Sequence, residues 1–133
     1  MITREADYAI RTVVHLASLG EGASVSCSEV ARRAVVPYRF LRKIVSKLVA
    51  SGIVKSRRGR RGGLALDRPA GEVSLLDIIR AVDPRGVTLN LCLGEEEACD
   101  LQLACRTHSR LASVQQLIER HLSDVTVDEL VEA

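Results

Sequence analysis

The sequence predicts a mainly α-helical fold with a small β-hairpin wing, that is, a winged helix-turn-helix followed by a long C-terminal helix. Three observations carry that expectation. Apolar residues recur at helical spacing in three successive N-terminal segments, punctuated by Gly20 and Pro37. Two short apolar runs, residues 53–56 and 64–66, flank a linker of four arginines and three glycines, the pattern of a hairpin. A last helical period, Leu111, Val114, Leu117, Ile118 and Leu122, closes the chain.

The first helix, residues 3–19, places Ala6, Ala9, Ile10, Val13, Val14 and Ala17 on one face, with Thr3 as N-cap and Gly20 as stop. Asp7 falls in its opening turns, where the helix dipole favours a carboxylate. Ser26 and Glu29 have the spacing of a capping box for a short second helix bearing Val30, Ala31 and Ala34, with Cys27 as a small packed residue at its start. Pro37 ends that helix region and opens a third helix over residues 37–51. Its stripe of Phe40, Leu41, Ile44, Val45, Leu48 and Val49 faces inward; its other face holds Arg39, Arg42, Lys43, Ser46 and Lys47. A short turn followed by a helix with a basic free face is a helix-turn-helix whose second member fits a major groove. The hairpin behind it, with Arg57, Arg58, Arg60 and Arg61 at its tip, is the wing. Ser74 to Asp77 caps a fourth helix through Val82, and a long helix is expected over residues 101–122. That helix is too long for so small a head to cover, so a second copy is expected on its seam. Thr126 to Glu129 opens a short acidic terminal helix through a further capping box. The expected divisions are a head over residues 1–83, a cysteine-rich loop over 84–106, and a dimerisation helix with its terminal helix over 107–133.

Charge separates the chain into two parts. The net charge of 133 residues is +2, yet residues 39–68 carry ten Lys/Arg against Asp67 alone, +9, which leaves −7 for the remainder. Such a cationic half is the electrostatic footprint of a nucleic-acid binder. With one Phe, two Tyr and no Trp, the core must be built from Leu, Ile, Val and Ala. No apolar run approaches the roughly 20 residues that cross a bilayer, so no membrane partner is expected. The charged start, in place of an apolar signal segment, points to a cytoplasmic protein. No nucleophile–base pair or nucleotide loop suggests an enzyme.

Cys92, Cys99 and Cys105, three of the four cysteines, fall within fourteen positions, and His108 follows three residues later. In a reducing compartment such a set ligates a soft metal or acts as a redox relay. Zinc suits a Cys3His set but usually uses tight Cys-x2-Cys turns, whereas an iron-sulfur cluster tolerates longer spacers. Spacing alone leaves both open, together with thiol chemistry.

With these pieces in place, the whole chain resembles the Rrf-two family of bacterial winged-helix regulators. The residues that carry the resemblance are 7–11 in the first helix (Asp-Tyr-Ala-Ile-Arg), 37–41 (Pro-Tyr-Arg-Phe-Leu) and 48–54 around the recognition helix, 56–66 in the wing, 75–82, and the cysteine triplet. The resemblance implies a homodimer that binds double-stranded operator DNA through Tyr38, the basic face of the third helix and the wing arginines. It also implies a [2Fe-2S] or [4Fe-4S] cluster on Cys92, Cys99 and Cys105, sensing iron, redox state or nitric oxide. His108 matches the fourth ligand of IscR-like members, and Asp7 matches the aspartate that NsrR-like members supply from the other subunit; both are present. IscR-like members have an acidic residue where this chain has Arg42, so their operator does not transfer. Two other functions fit the same residues: a cluster-independent regulator working by thiol redox or zinc, and an iron-sulfur carrier whose basic face meets an acidic partner.

Overall fold

The computed structural model describes every residue except Met1, Arg61, residues 95–98, Gln102, Leu103 and Ala133. Among the described residues the order is α1 (Arg4–Ser18), α2 (Cys27–Ala34), α3 (Tyr38–Ala50), β1 (Val54–Arg57), β2 (Gly63–Leu66), α4 (Leu75–Val82), α5 (His108–Asp124) and α6 (Val127–Glu132), with single 3₁₀ turns at Ala70–Glu72 and Leu91–Leu93. The expected mainly helical winged fold is therefore present.

Local chemistry sets most boundaries. The Thr3 hydroxyl accepts the Ala6 amide at 3.1 Å and starts α1. Ser26 likewise accepts the Glu29 amide, but the Glu29 carboxylate turns to Arg32 and Arg33 instead of completing a capping box. Those two guanidiniums hold the Glu29 carboxyl below its usual range. Ser74 and Asp77 do form the complete reciprocal box. At α6 the Thr126 hydroxyl donates to Asp128, not to a box with Glu129. Between α2 and α3, Val35 takes a left-handed conformation, φ 56°, which is strained for a β-branched side chain.

Leu41, Ile44 and Leu48 of α3 are fully buried against Ala6, Ala9 and Val13 of α1, Val30 of α2 and Ile78 and Ile79 of α4. Each such side chain contributes about 1.5–3 kcal/mol when removed from water. Phe40 and Val49, expected on the same stripe, stay exposed. Phe40 instead meets Tyr8 of α1, ring centroids 6.2 Å apart, and carries the Arg39 guanidinium over its face at 5.2 Å. Val127 of α6 is fully buried in this core, and Thr126 pairs with Ser74 in an isolated bridge. The terminal helix thus belongs to the head, and the expected division at residue 83 does not separate it.

The wing is antiparallel, with Val54 opposite Leu66 and Ser56 opposite Leu64. Its second strand is also bonded to the segment before α2: Val25 donates to the Leu64 carbonyl at 3.0 Å and accepts its amide at 2.7 Å. The hairpin is thereby pinned to the head. Gly63, at φ 144°, makes this possible, because an added Cβ would lie 2.5 Å from the Val25 carbonyl oxygen. Gly63→Ala is expected to cost about 1–3 kcal/mol and loosen the wing; an unchanged thermal midpoint would refute that docking.

Candidate functional site

Two regions bring the predicted residues together. On α3, buried Leu41, Ile44, Val45 and Leu48 turn one side to the core, which leaves Tyr38, Arg39, Arg42, Lys43 and Ser46 on the exposed arc. Arg57, Arg58 and Arg60 are exposed at the end of β1 and in the wing loop, while Arg61 lies outside the described residues. Lys47 departs from this group. Its ammonium donates to Oε1 of Glu5 at 2.7 Å and to the Val82 carbonyl at 3.1 Å, so it is committed inside the head. Sequence periodicity could not see this, because both partners are far along the chain.

The thiols form the second region. Cys92, Cys99, Cys105 and His108, spread over 17 residues, line one cavity of about 520 Å³ together with Asn90, Leu91, Leu101, Thr107 and Leu111. The helix expected from residue 101 starts only at His108. Beside that start the Cys105 thiol is hydrogen-bonded by the backbone N–H groups of Thr107 and then His108. These bonds, with the Thr107 side chain, lower the Cys105 thiol pKa from its ordinary value and favour the thiolate, the form that binds metal.

Among the described residues His108 Nδ1 is buried with no hydrogen-bond partner, a costly arrangement unless something accepts or ligates it. Among the described residues, no three His, Cys, Asp or Glu side chains are gathered closely enough to hold a single metal ion. The donors surround a volume instead of a point. Three free thiols and one orphaned imidazole nitrogen around a cavity are a soft donor set, and by that chemistry they fit an iron-sulfur cluster. Asp7 is not among the lining residues of its own chain; it pairs with Arg11 at 2.7 Å, both side chains about half exposed.

The approach to this cavity is clamped. Gln115 of α5 accepts the Leu89 amide at 2.9 Å and donates to the Val87 carbonyl, holding the start of the loop like an added strand. Glu119 accepts from Gln115 at 3.0 Å and pairs with Arg80 of α4 at 3.5 Å. Neither Gln115 nor Glu119 was marked by the apolar seam. Nor did that seam survive whole: Leu111, Ile118 and Leu122 are half-buried, the last two against the chain's own core, while Val114 and Leu117 are exposed on a second face.

The Rrf2 family model, described as an iron-dependent transcriptional regulator, matches residues 2–133. The chain belongs to the Rrf2 family of transcriptional regulators. Its fold is shared with Staphylococcus aureus CymR in an oxidized form, at 23% identity and a TM-score of 0.76, covering 100% of this chain and 97% of that one. CymR of B. subtilis, described as its global cysteine regulator, is 23% identical with a TM-score of 0.72, covering 99% and 96%. T. potens IscR is 24% identical with a TM-score of 0.77, covering 99% and 86%. As an Rrf2 protein the chain is a DNA-binding regulator and not an enzyme. Among its described residues no helix is long and apolar enough to cross a membrane.

Proposed function

We propose that this Rrf2 protein is a homodimeric regulator whose affinity for double-stranded operator DNA is controlled by an iron-sulfur cluster. The observation that carries this reading is the meeting of Cys92, Cys99, Cys105 and His108 around one cavity, with His108 Nδ1 buried and, among the described residues, unpartnered. The three cysteines would supply thiolates and His108 the fourth donor. His108 is preferred to Asp7 because it already lines the cavity, whereas the Asp7 carboxylate is engaged by Arg11. When bound, the cluster supplies a centre whose integrity depends on iron, redox state and nitric oxide. The chain's own residues do the rest. Cys105 lies three residues before the start of α5, with the Thr107 and His108 amides toward its sulfur, so a change there bears on the entry to that helix. Gln115 holds the Val87–Leu89 segment to the same helix. Arg39, Arg42, Lys43 and Ser46, with the wing arginines, meet the duplex.

The proposed cover of the outer face of α5 is a second copy. Val114 is 45% and Leu117 is 61% exposed, and a two-fold pair would bury both while presenting two recognition helices to two half-sites. Leu117→Glu is expected to give a monomer by sedimentation and to weaken operator binding on the order of 10²-fold through lost bivalency. A dimer that persists would place the interface elsewhere.

Isolation without air, followed by a visible spectrum and iron and sulfide analysis, tests the cofactor. A brown protein with bound iron and sulfide is expected. Colourless protein containing zinc, or thiols that pair as disulfides without ever loading iron, would replace the cluster reading with a zinc or thiol regulator.

A further inference from the structure

Lys47 sits on the recognition helix but is turned away from its exposed arc. Its ion pair with Glu5 is about one-third exposed on each side, 35% and 31%, so water screens it less than it screens a fully exposed surface pair. Both partners are at helix ends. Glu5 lies in the first turn of α1, and Val82 is the last residue of α4. A carboxylate at a helix N-terminus and a cation on a C-terminal carbonyl are each favoured by the backbone dipoles. One ammonium therefore fastens α3 to the start of α1 and the end of α4.

Val82 is also the point where the chain leaves the head for the thiol loop. Asp83 and Pro84 follow, Gln115 clamps the Val87–Leu89 segment to α5, and Asn90 and Leu91 already line the thiol cavity. On the other side, Glu119 joins Gln115 to Arg80, two residues before Val82. Polar contacts, joined by short stretches of backbone at residues 80–82 and 89–90, thus run from the lining of the cavity to the recognition helix, and Lys47 is the last of them.

We propose that Lys47 is a positioning residue: it sets the recognition helix against the end of α4, transmits the state of the thiol loop to the DNA-reading face, and makes no contact with DNA itself. The transmission rests on the cluster-controlled reading above; the absence of DNA contact does not. Lys47→Met keeps the aliphatic stem and removes the three donors.

The first measurement is operator affinity against salt for cluster-free protein. A lysine on a phosphate contributes about 0.9 to the slope of log K against log salt. Lys47→Met is expected to leave the slope unchanged, and a fall near 0.9 would overturn the proposal. The second is the ratio of affinities between loaded and cluster-free protein. A wild-type ratio of about 5- to 150-fold is expected to shrink to within about twofold in Lys47→Met and to persist in Lys47→Arg; an undiminished ratio in Lys47→Met would equally overturn it. If wild type itself shows no ratio, the cluster-controlled reading fails, and the salt slope alone decides whether Lys47 touches DNA. Should Lys47→Met not fold, Glu5→Gln, which leaves the bond to Val82 in place, is expected to reduce the ratio at an unchanged slope, and an undiminished ratio there overturns the proposal.

Discussion

Replacing Arg39 and Arg42 together by alanine is expected to weaken operator binding by about 2–6 kcal/mol, roughly 30- to 20,000-fold in affinity, if each guanidinium meets a base edge at about 1–3 kcal/mol. Both lie on the exposed arc of α3, and Arg39 is braced over the Phe40 ring at 5.2 Å, which restricts its rotamers before DNA arrives. Exposed side chains of this kind add little to the fold, so the thermal midpoint should move by no more than about 0.5 kcal/mol allows. Binding to random DNA should fall much less than binding to the operator, because base contacts specify and phosphate contacts only position. An equal loss on both would assign the two arginines to phosphates, and the salt slope would then drop by about 0.9 for each.

Cys105→Ser is expected to abolish iron binding while sparing α5, which starts three residues later. A serine oxygen can still accept from the Thr107 and His108 amides that reach the Cys105 sulfur. A neutral hydroxyl is nevertheless a poor substitute for a soft thiolate toward iron. Anaerobically isolated Cys105→Ser protein should therefore show near-background iron and visible absorption, with helicity and dimerisation retained. Its operator affinity should stay at the cluster-free value, without the roughly 5- to 150-fold response expected of the loaded protein. Retention of wild-type colour and iron would remove Cys105 from the ligand set.

Much of this was legible in the chain. The first three helices, the hairpin and their order follow from local period and punctuation: Thr3, Ser26, Pro37, Gly52 and the Arg/Gly linker act within a few residues of themselves. The thiol cluster was legible too, because three cysteines in fourteen positions need no fold to be noticed. The errors cluster where a residue had a choice of partners. Phe40 fits the inward stripe by spacing, yet the Tyr8 ring and Arg39 offered it a surface stack. Glu29 fits a capping box, but Arg32 and Arg33 on its own helix outcompeted the cap amide. The C-terminal helix begins at His108, seven residues later than the helical period predicts.

The sequence by itself determined which segments are helical, which face of α3 is cationic, and that three cysteines cluster ahead of a histidine, since propensity, period and residue spacing are properties of short stretches. Only the tertiary structure decided that those four donors share one cavity, that Lys47 serves Glu5 and Val82 instead of the exposed arc, and that Gln115 clamps the start of the loop. Each of those contacts joins positions from three to 42 residues apart, and a side chain that must choose among distant partners is placed by how the helices pack, which no local pattern records.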